Sequence, residues 1–148
     1  MRLSNLADYA VVLMSAAARH CGSAGIDPST GKPRARTSAA TLADETGVPL
    51  ATAHKLVHAL VRAGLMTSLR GAGGGVKLAR PAAAITLADI IEAVEGPIAL
   101  TACVDTARQA NGDHCALEGN CRVKPHWAAV NGAMRGALAG ITLTSMAR

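Results

Sequence analysis

Residues 38–78, SAATLADETGVPLATAHKLVHALVRAGLMTSLRGAGGGVKL, carry the reading that decides the fold. From Ser38 the pattern gives a short helix, Ala39 to Thr46, then a turn at Gly47-Val48-Pro49, then a second helix from Leu50 to about Ala63, stopped by Gly64. That is helix-turn-helix spacing. In the second helix Ala53, Leu56, Val57 and Leu60 recur at intervals of three and four and form an apolar stripe. The stripe turns Thr52, His54, Lys55, His58 and Arg62 away from the core. Such a face of donors and positive charge suits a DNA major groove, and it also suits an ordinary solvated helix surface. Two strand-like runs follow, Leu65 to Arg70 and Val76 to Leu78, around the tip Gly71-Ala72-Gly73-Gly74-Gly75. They read as a β-hairpin wing. A phosphate-cradling loop fits less well, because GxxxxGK[ST] is missing and the glycines lead into a strand rather than a helix N-terminus.

Working outward, Ser4 is a good N-cap, and Leu6, Ala10, Leu13, Met14 and Ala17 fall at helical spacing, so a first helix runs to about His20. Residues 22–33 are rich in Gly, Pro and Ser and read as a surface loop. After the wing and Pro81, Thr86-Leu87-Ala88-Asp89 resembles an N-cap with an acidic residue three places on. Leu87, Ile90, Ile91 and Val94 form the buried stripe of that helix, Asp89, Glu92 and Glu95 its solvated side, and Gly96-Pro97 its stop. After Pro125, Trp127, Val130, Met134, Leu138 and Ile141 recur every three or four residues. That stripe suits an internal core or a helix-to-helix dimer interface.

Composition agrees with a helical reading. The 148 residues make one compact domain, half of them hydrophobic, with no Phe and with Tyr9 and Trp127 as the only aromatics. No apolar run approaches a membrane span, and the opening MRLSN lacks a signal-peptide pattern, so a cytoplasmic protein is expected. The net charge of +5 is unevenly placed. Residues 1–80 hold ten Lys and Arg against four Asp and Glu, whereas residues 81–148 hold five against six. A locally basic surface is what binding to a phosphate backbone uses. No Ser-His-Asp or paired-carboxylate arrangement is visible, so an enzyme is not expected.

Three of the four cysteines, Cys103, Cys115 and Cys121, lie within 19 residues of the less basic half, spaced Cys-x11-Cys-x5-Cys around Asn111-Gly112-Asp113 and Gly119-Asn120. Three thiolates on one loop suit zinc or an iron–sulfur cluster, and a reversible disulfide is the third reading. Cys21, at a helix end with apolar neighbours, reads as a plain buried thiol.

Taken together, these segments resemble the winged-helix bacterial regulators of the Rrf-two family, which includes the Isc and Suf iron–sulfur assembly regulators, the nitric-oxide-sensing Nsr repressor and the iron-responsive Rir regulator. The pieces are Met1-Arg2-Leu3-Ser4 with Tyr9-Ala10, the wing Leu69 to Gly75, Ile85 to Ile91 ending in Glu95-Gly96, the three cysteines, and Ile141-Thr142-Leu143. They cover nearly the whole chain. Glu95 to Thr101 and the run after Cys121 look most like the Suf-operon branch.

The resemblance implies a mainly α fold: a winged helix-turn-helix with a small hairpin wing and a long C-terminal dimerisation helix. Residues 1–80 would bind DNA, and residues 81–148 would sense and dimerise within one compact domain. It further implies a homodimer on double-stranded operator DNA, with one iron–sulfur cluster, [2Fe-2S] or [4Fe-4S], per subunit on Cys103, Cys115 and Cys121. Arg70 would enter a minor groove and the second helix a major groove, with Arg2, Gly73 and Gly74 among the DNA contacts. Lys124 stands where the Isc relative has a ligating His, and a protonated ammonium has no lone pair to donate. Asp8 matches a ligand that the Nsr relative supplies from the partner subunit; His126 and His114 are local alternatives. The gap between Cys103 and Cys115 is longer than in the Isc relative, and the stretch 22–36 is longer than usual. The function implied is a cluster-dependent regulator, in the repressor sense, of cluster-assembly genes. The rivals are a nitric-oxide- or iron-responsive repressor of the same family and, from another class, a cluster carrier or electron-transfer protein.

Overall fold

Leu13, Met14, Leu42, Leu56, Leu60, Met66, Ile85, Ile90 and Leu143 are the largest side chains fully removed from solvent. Each contributes roughly 1.5 to 3 kcal/mol by burial. They come from positions 13 to 143, so the core is assembled from both ends of the chain. The computed structural model describes residues 3–22, 36–71 and 74–148. Arg2, Gly73, most of the long stretch 22–36 and the side chain of Cys21 lie outside the described residues.

The order is α1 (Asn5–Gly22), α2 (Ala39–Thr46), α3 (Leu50–Arg62), β1 (Met66–Leu69), β2 (Gly75–Leu78), α4 (Leu87–Glu95), α5 (Thr106–Ala110), α6 (Lys124–Ala139) and α7 (Leu143–Met146), with short 3-10 turns at 82–84, 102–104 and 118–120. This is the mainly helical winged helix-turn-helix expected from the sequence.

Local chemistry sets the boundaries. Ser4 Oγ accepts from Ala7 N at 3.1 Å and opens α1; Ser38 Oγ accepts from Thr41 N at 3.0 Å and opens α2. Gly47 closes α2 at φ 74, a left-handed conformation that costs glycine nothing. Thr86 and Asp89 make a full capping box on α4. Asp89 therefore does not sit free on a solvated side. Its carboxylate accepts from the Thr86 N–H at 2.9 Å.

Two single-residue pairings join segments distant in sequence. Thr37 pairs with Val76 as a one-residue third strand, through N–H···O bonds of 2.9 and 2.7 Å. Thr86 pairs with Thr142, so Leu87 N donates to Ile141 O at 2.9 Å and Leu143 N to Ile85 O at 2.8 Å.

Candidate nucleic-acid interface and thiol loop

Helix α3 buries Ala53, Leu56, Val57 and Leu60, as its spacing requires. His54, Lys55, His58 and Arg62 are exposed and Thr52 is half-buried. A cleft of about 390 Å³ beside α3 is lined by Lys55, His58 and Arg62 together with apolar groups of α1, α3 and α4, among them Leu6, Ala59 and Val94. Among the described residues, none of these three basic side chains has an ion pair. On α4, which contributes to the same cleft, Glu92 holds Arg135 and Glu95 accepts from Ser4 N. Positive charge on α3 is therefore available to an external anion.

The wing pairs Met66 with Leu78, Thr67 with Lys77, Ser68 with Val76 and Leu69 with Gly75. Its glycines answer to space. A Cβ on Gly74 would meet the Leu69 carbonyl, and one on Gly75 would lie 2.6 Å from the Thr37 carbonyl at φ 143. Arg70, which precedes Gly71, is exposed. Lys77 is a further exposed cation on the wing, opposite Thr67. Its place on a four-residue strand beside the glycine tip was the available sequence signal.

The thiol loop lies on the other half. Cys103 is buried in the 102–104 turn, with the Thr101 hydroxyl 3.1 Å from its sulfur. Gln109 Nε2 donates to the Cys103 carbonyl at 2.7 Å. Cys115 and Cys121 are half-buried, and all three thiols are free. Lys124 pairs with Glu118. That carboxylate holds the Lys124 ammonium above its usual range, and the nearby Cys103 and Cys121 push the same way to a smaller degree.

The donor chemistry suits a soft-metal centre. The arrangement is open, however: among the described residues no three His, Cys, Asp or Glu side chains are gathered closely enough to hold a metal ion. Asp8 is exposed in the first turn of α1, and His126 is exposed on α6. His114 leans 3.6 Å from Glu118. Bringing the three sulfurs together requires the 103–121 segment to close.

The apolar stripe of the C-terminal helix divides. Met134 and Leu138 are half-buried and line a cleft of about 500 Å³ with Ile91 and the 95–99 segment. Trp127, Val130 and Ile141 are 38, 48 and 42 % exposed. No described helix is long and apolar enough to cross a membrane.

A model of the Rrf2 family, described as an iron-dependent transcriptional regulator, matches residues 26–148. ORF2 of Azotobacter vinelandii, named as an HTH-type transcriptional regulator, is 32% identical over 115 residues, which is 78% of this chain. The matched region spans 63% of that relative's length. Among solved structures, IscR of T. potens has a TM-score of 0.66 at 26% identity, over 99% of this chain and 85% of that one. CymR (YrzC), the global cysteine regulator of B. subtilis, has a TM-score of 0.66 at 26% identity, over 99% and 96%. The oxidized form of Staphylococcus aureus CymR has a TM-score of 0.65 at 27% identity, over 100% and 97%.

Proposed function

Because the chain belongs to the Rrf2 family of transcriptional regulators, whose members are regulators rather than enzymes, we propose that it binds operator DNA as a cytoplasmic homodimer under control of an iron–sulfur cluster on Cys103, Cys115 and Cys121. The observation that carries the DNA half of this reading is the exposed row of Lys55, His58 and Arg62 on α3, without an ion pair among the described residues, together with exposed Arg70 on the wing. In the bound state α3 enters a major groove, with Thr52 and His54 beside those cations, and Arg70 enters a minor groove next to Gly74. Arg2 and Gly73 complete the contact set by resemblance. Residues 1–80 do the DNA work and residues 81–148 the sensing and dimerisation.

The cluster half rests on three free thiols within one loop beside Lys124. When bound, a cluster supplies an oxidisable, ligand-labile centre. The chain's own part is to offer three thiolates and, across the dimer, Asp8 as the fourth donor, with His126 second. A fourth donor of oxygen or nitrogen holds iron less firmly than thiolate and leaves the centre labile. The targets on this reading are cluster-assembly genes, repressed or released as the cluster changes. A second reading, control by thiol chemistry without metal, is favoured by the similarity to the cysteine regulator CymR.

Anaerobic purification, with iron, sulfide and the visible spectrum measured on the same sample, separates the two. Two to four iron and equal sulfide per subunit are expected, lost in Cys103→Ala, Cys115→Ala and Cys121→Ala and kept in Cys21→Ala. A colourless protein free of iron, whose operator binding still follows thiol oxidation, would establish the second reading instead.

A further inference from the structure

The backbone just ahead of Cys103 is fastened to two helices by side chains. Leu100 N donates to Asn131 Oδ1 at 3.0 Å, and Asn131 Nδ2 donates to the Ile98 carbonyl at 2.9 Å. Glu92 Oε1 accepts from Ile98 N at 3.4 Å. The same carboxylate receives Arg135 in a two-pronged bond, Nε at 2.8 Å and Nη2 at 2.9 Å. Asn131 and Arg135 stand one turn apart on α6, whereas Glu92 belongs to α4. Residues 98–100 are thus clasped between the two helices, and Thr101 links the clasp to the Cys103 sulfur.

The clasp matters because α6 has little else to hold it. None of its sixteen residues is buried, so its attachment to α4 and the loop rests on half-buried Met134 and Leu138, on the Lys124–Glu118 ion pair and on these polar bonds. Asn is chemically specific at this position. It offers one acceptor and one donor at short reach, which match an N–H and a carbonyl two residues apart. Aspartate would keep the first bond and turn a lone pair against the Ile98 carbonyl, and alanine would lose both.

We propose that Asn131 is a positioning residue that transmits the state of the thiol loop to α6. On this proposal, closing the three sulfurs together moves the 102–104 turn, which is joined to residues 98–100. Asn131 converts that movement into a shift of α6 against α4, and α4 packs on α1 and α3. The proposal rests on the sensor reading given above and names how that loop is read out.

The test uses the full chain, metal-free and after anaerobic reconstitution with ferrous iron and sulfide. Amide hydrogen exchange at Leu100 and affinity for an operator fragment selected with the wild-type protein are both measured. In Asn131→Ala, Leu100 should exchange at least tenfold faster. The ratio of operator affinities between the two states should fall to within twofold of one, while chromophore per subunit and metal-free operator affinity stay within twofold of wild type. Asn131→Asp should keep Leu100 protected yet lose most of the ratio, an outcome that mere loss of fold would not produce. A wild-type ratio retained in Asn131→Ala, or unchanged Leu100 exchange, overturns the clasp alone. A wild-type ratio of one with the chromophore formed overturns the sensor reading and the clasp with it.

Discussion

Helices α1 and α6 are nearly equal in length and both rich in alanine, yet they meet their surroundings differently. In α1, Ala7, Ala10, Leu13, Met14 and Ala16 to Ala18 are all buried. In α6 no residue is, and Trp127 and Val130 are 38 and 48 % exposed. Composition cannot be the cause. The difference is that α1 packs on α2, α3, α4, α7 and β2, whereas α6 packs chiefly on α4 and the 102–104 turn. A sixteen-residue helix is marginal by itself in water. The body of the molecule is therefore held by helices from both ends of the chain, while α6 keeps part of its apolar stripe exposed.

The largest expected contrast is between matched truncations. Leu60→Ala should cost about 3 kcal/mol in urea unfolding, through lost burial and the cavity left behind. Val130→Ala, in dilute and monomeric protein, should stay within about 0.5 kcal/mol. Equal costs would erase the distinction between the halves.

Next in size is assembly. Val130→Glu should convert a dimer to a folded monomer, read by light scattering with unchanged far-ultraviolet circular dichroism, because a charge would be buried in the contact without a partner. A monomeric wild type would break the comparison outright.

On the DNA side, Arg70→Ala should weaken operator binding by roughly 1 to 3 kcal/mol. The same substitution at Arg135, which is committed to Glu92, should leave metal-free binding nearly unchanged. Titration of binding against salt would show whether phosphate contacts carry the affinity.

The smallest effect concerns acid. Hydrogen bonds from His20 and then Arg19 hold the Glu45 carboxyl below its usual 4.5. Its contribution is thus complete above about pH 4.5 and is lost as pH falls through the lower folded value. The brace is largely exposed, so the acid limb of the stability curve should shift only slightly in Glu45→Gln.

The same contrast explains what could be read from the sequence. Helices α2 and α3, the wing and the α4 cap were legible because Gly47, Gly64, Thr86 and a strict apolar period mark them. The pairings of Thr37 with Val76 and of Thr86 with Thr142 were not, since a single-residue bridge has no period. Glu92 and Glu95 read as solvated because their partners, Arg135 and Ser4 N, are distant in sequence. In the thiol loop the ligand types were visible, but α5 and its flanking turns are too short to leave a pattern. The apolar stripe on α6 was seen as one surface, and only the packing separates Met134 and Leu138 from Trp127 and Val130.

The pairing of Thr86 with Thr142 gives the molecule a waist. Everything between Leu87 and Ile141 departs from and returns to one point, pinned by two backbone bonds and by fully buried Leu143. The excursion is a closed ring in the topological sense, and its ends remain together whatever its circumference. Chain entropy penalises such a ring only logarithmically, about 0.6 kcal/mol for each doubling of a flexible length. Residues can therefore be added between Cys103 and Cys115 at little thermodynamic cost to the helices and wing on the other side of that waist.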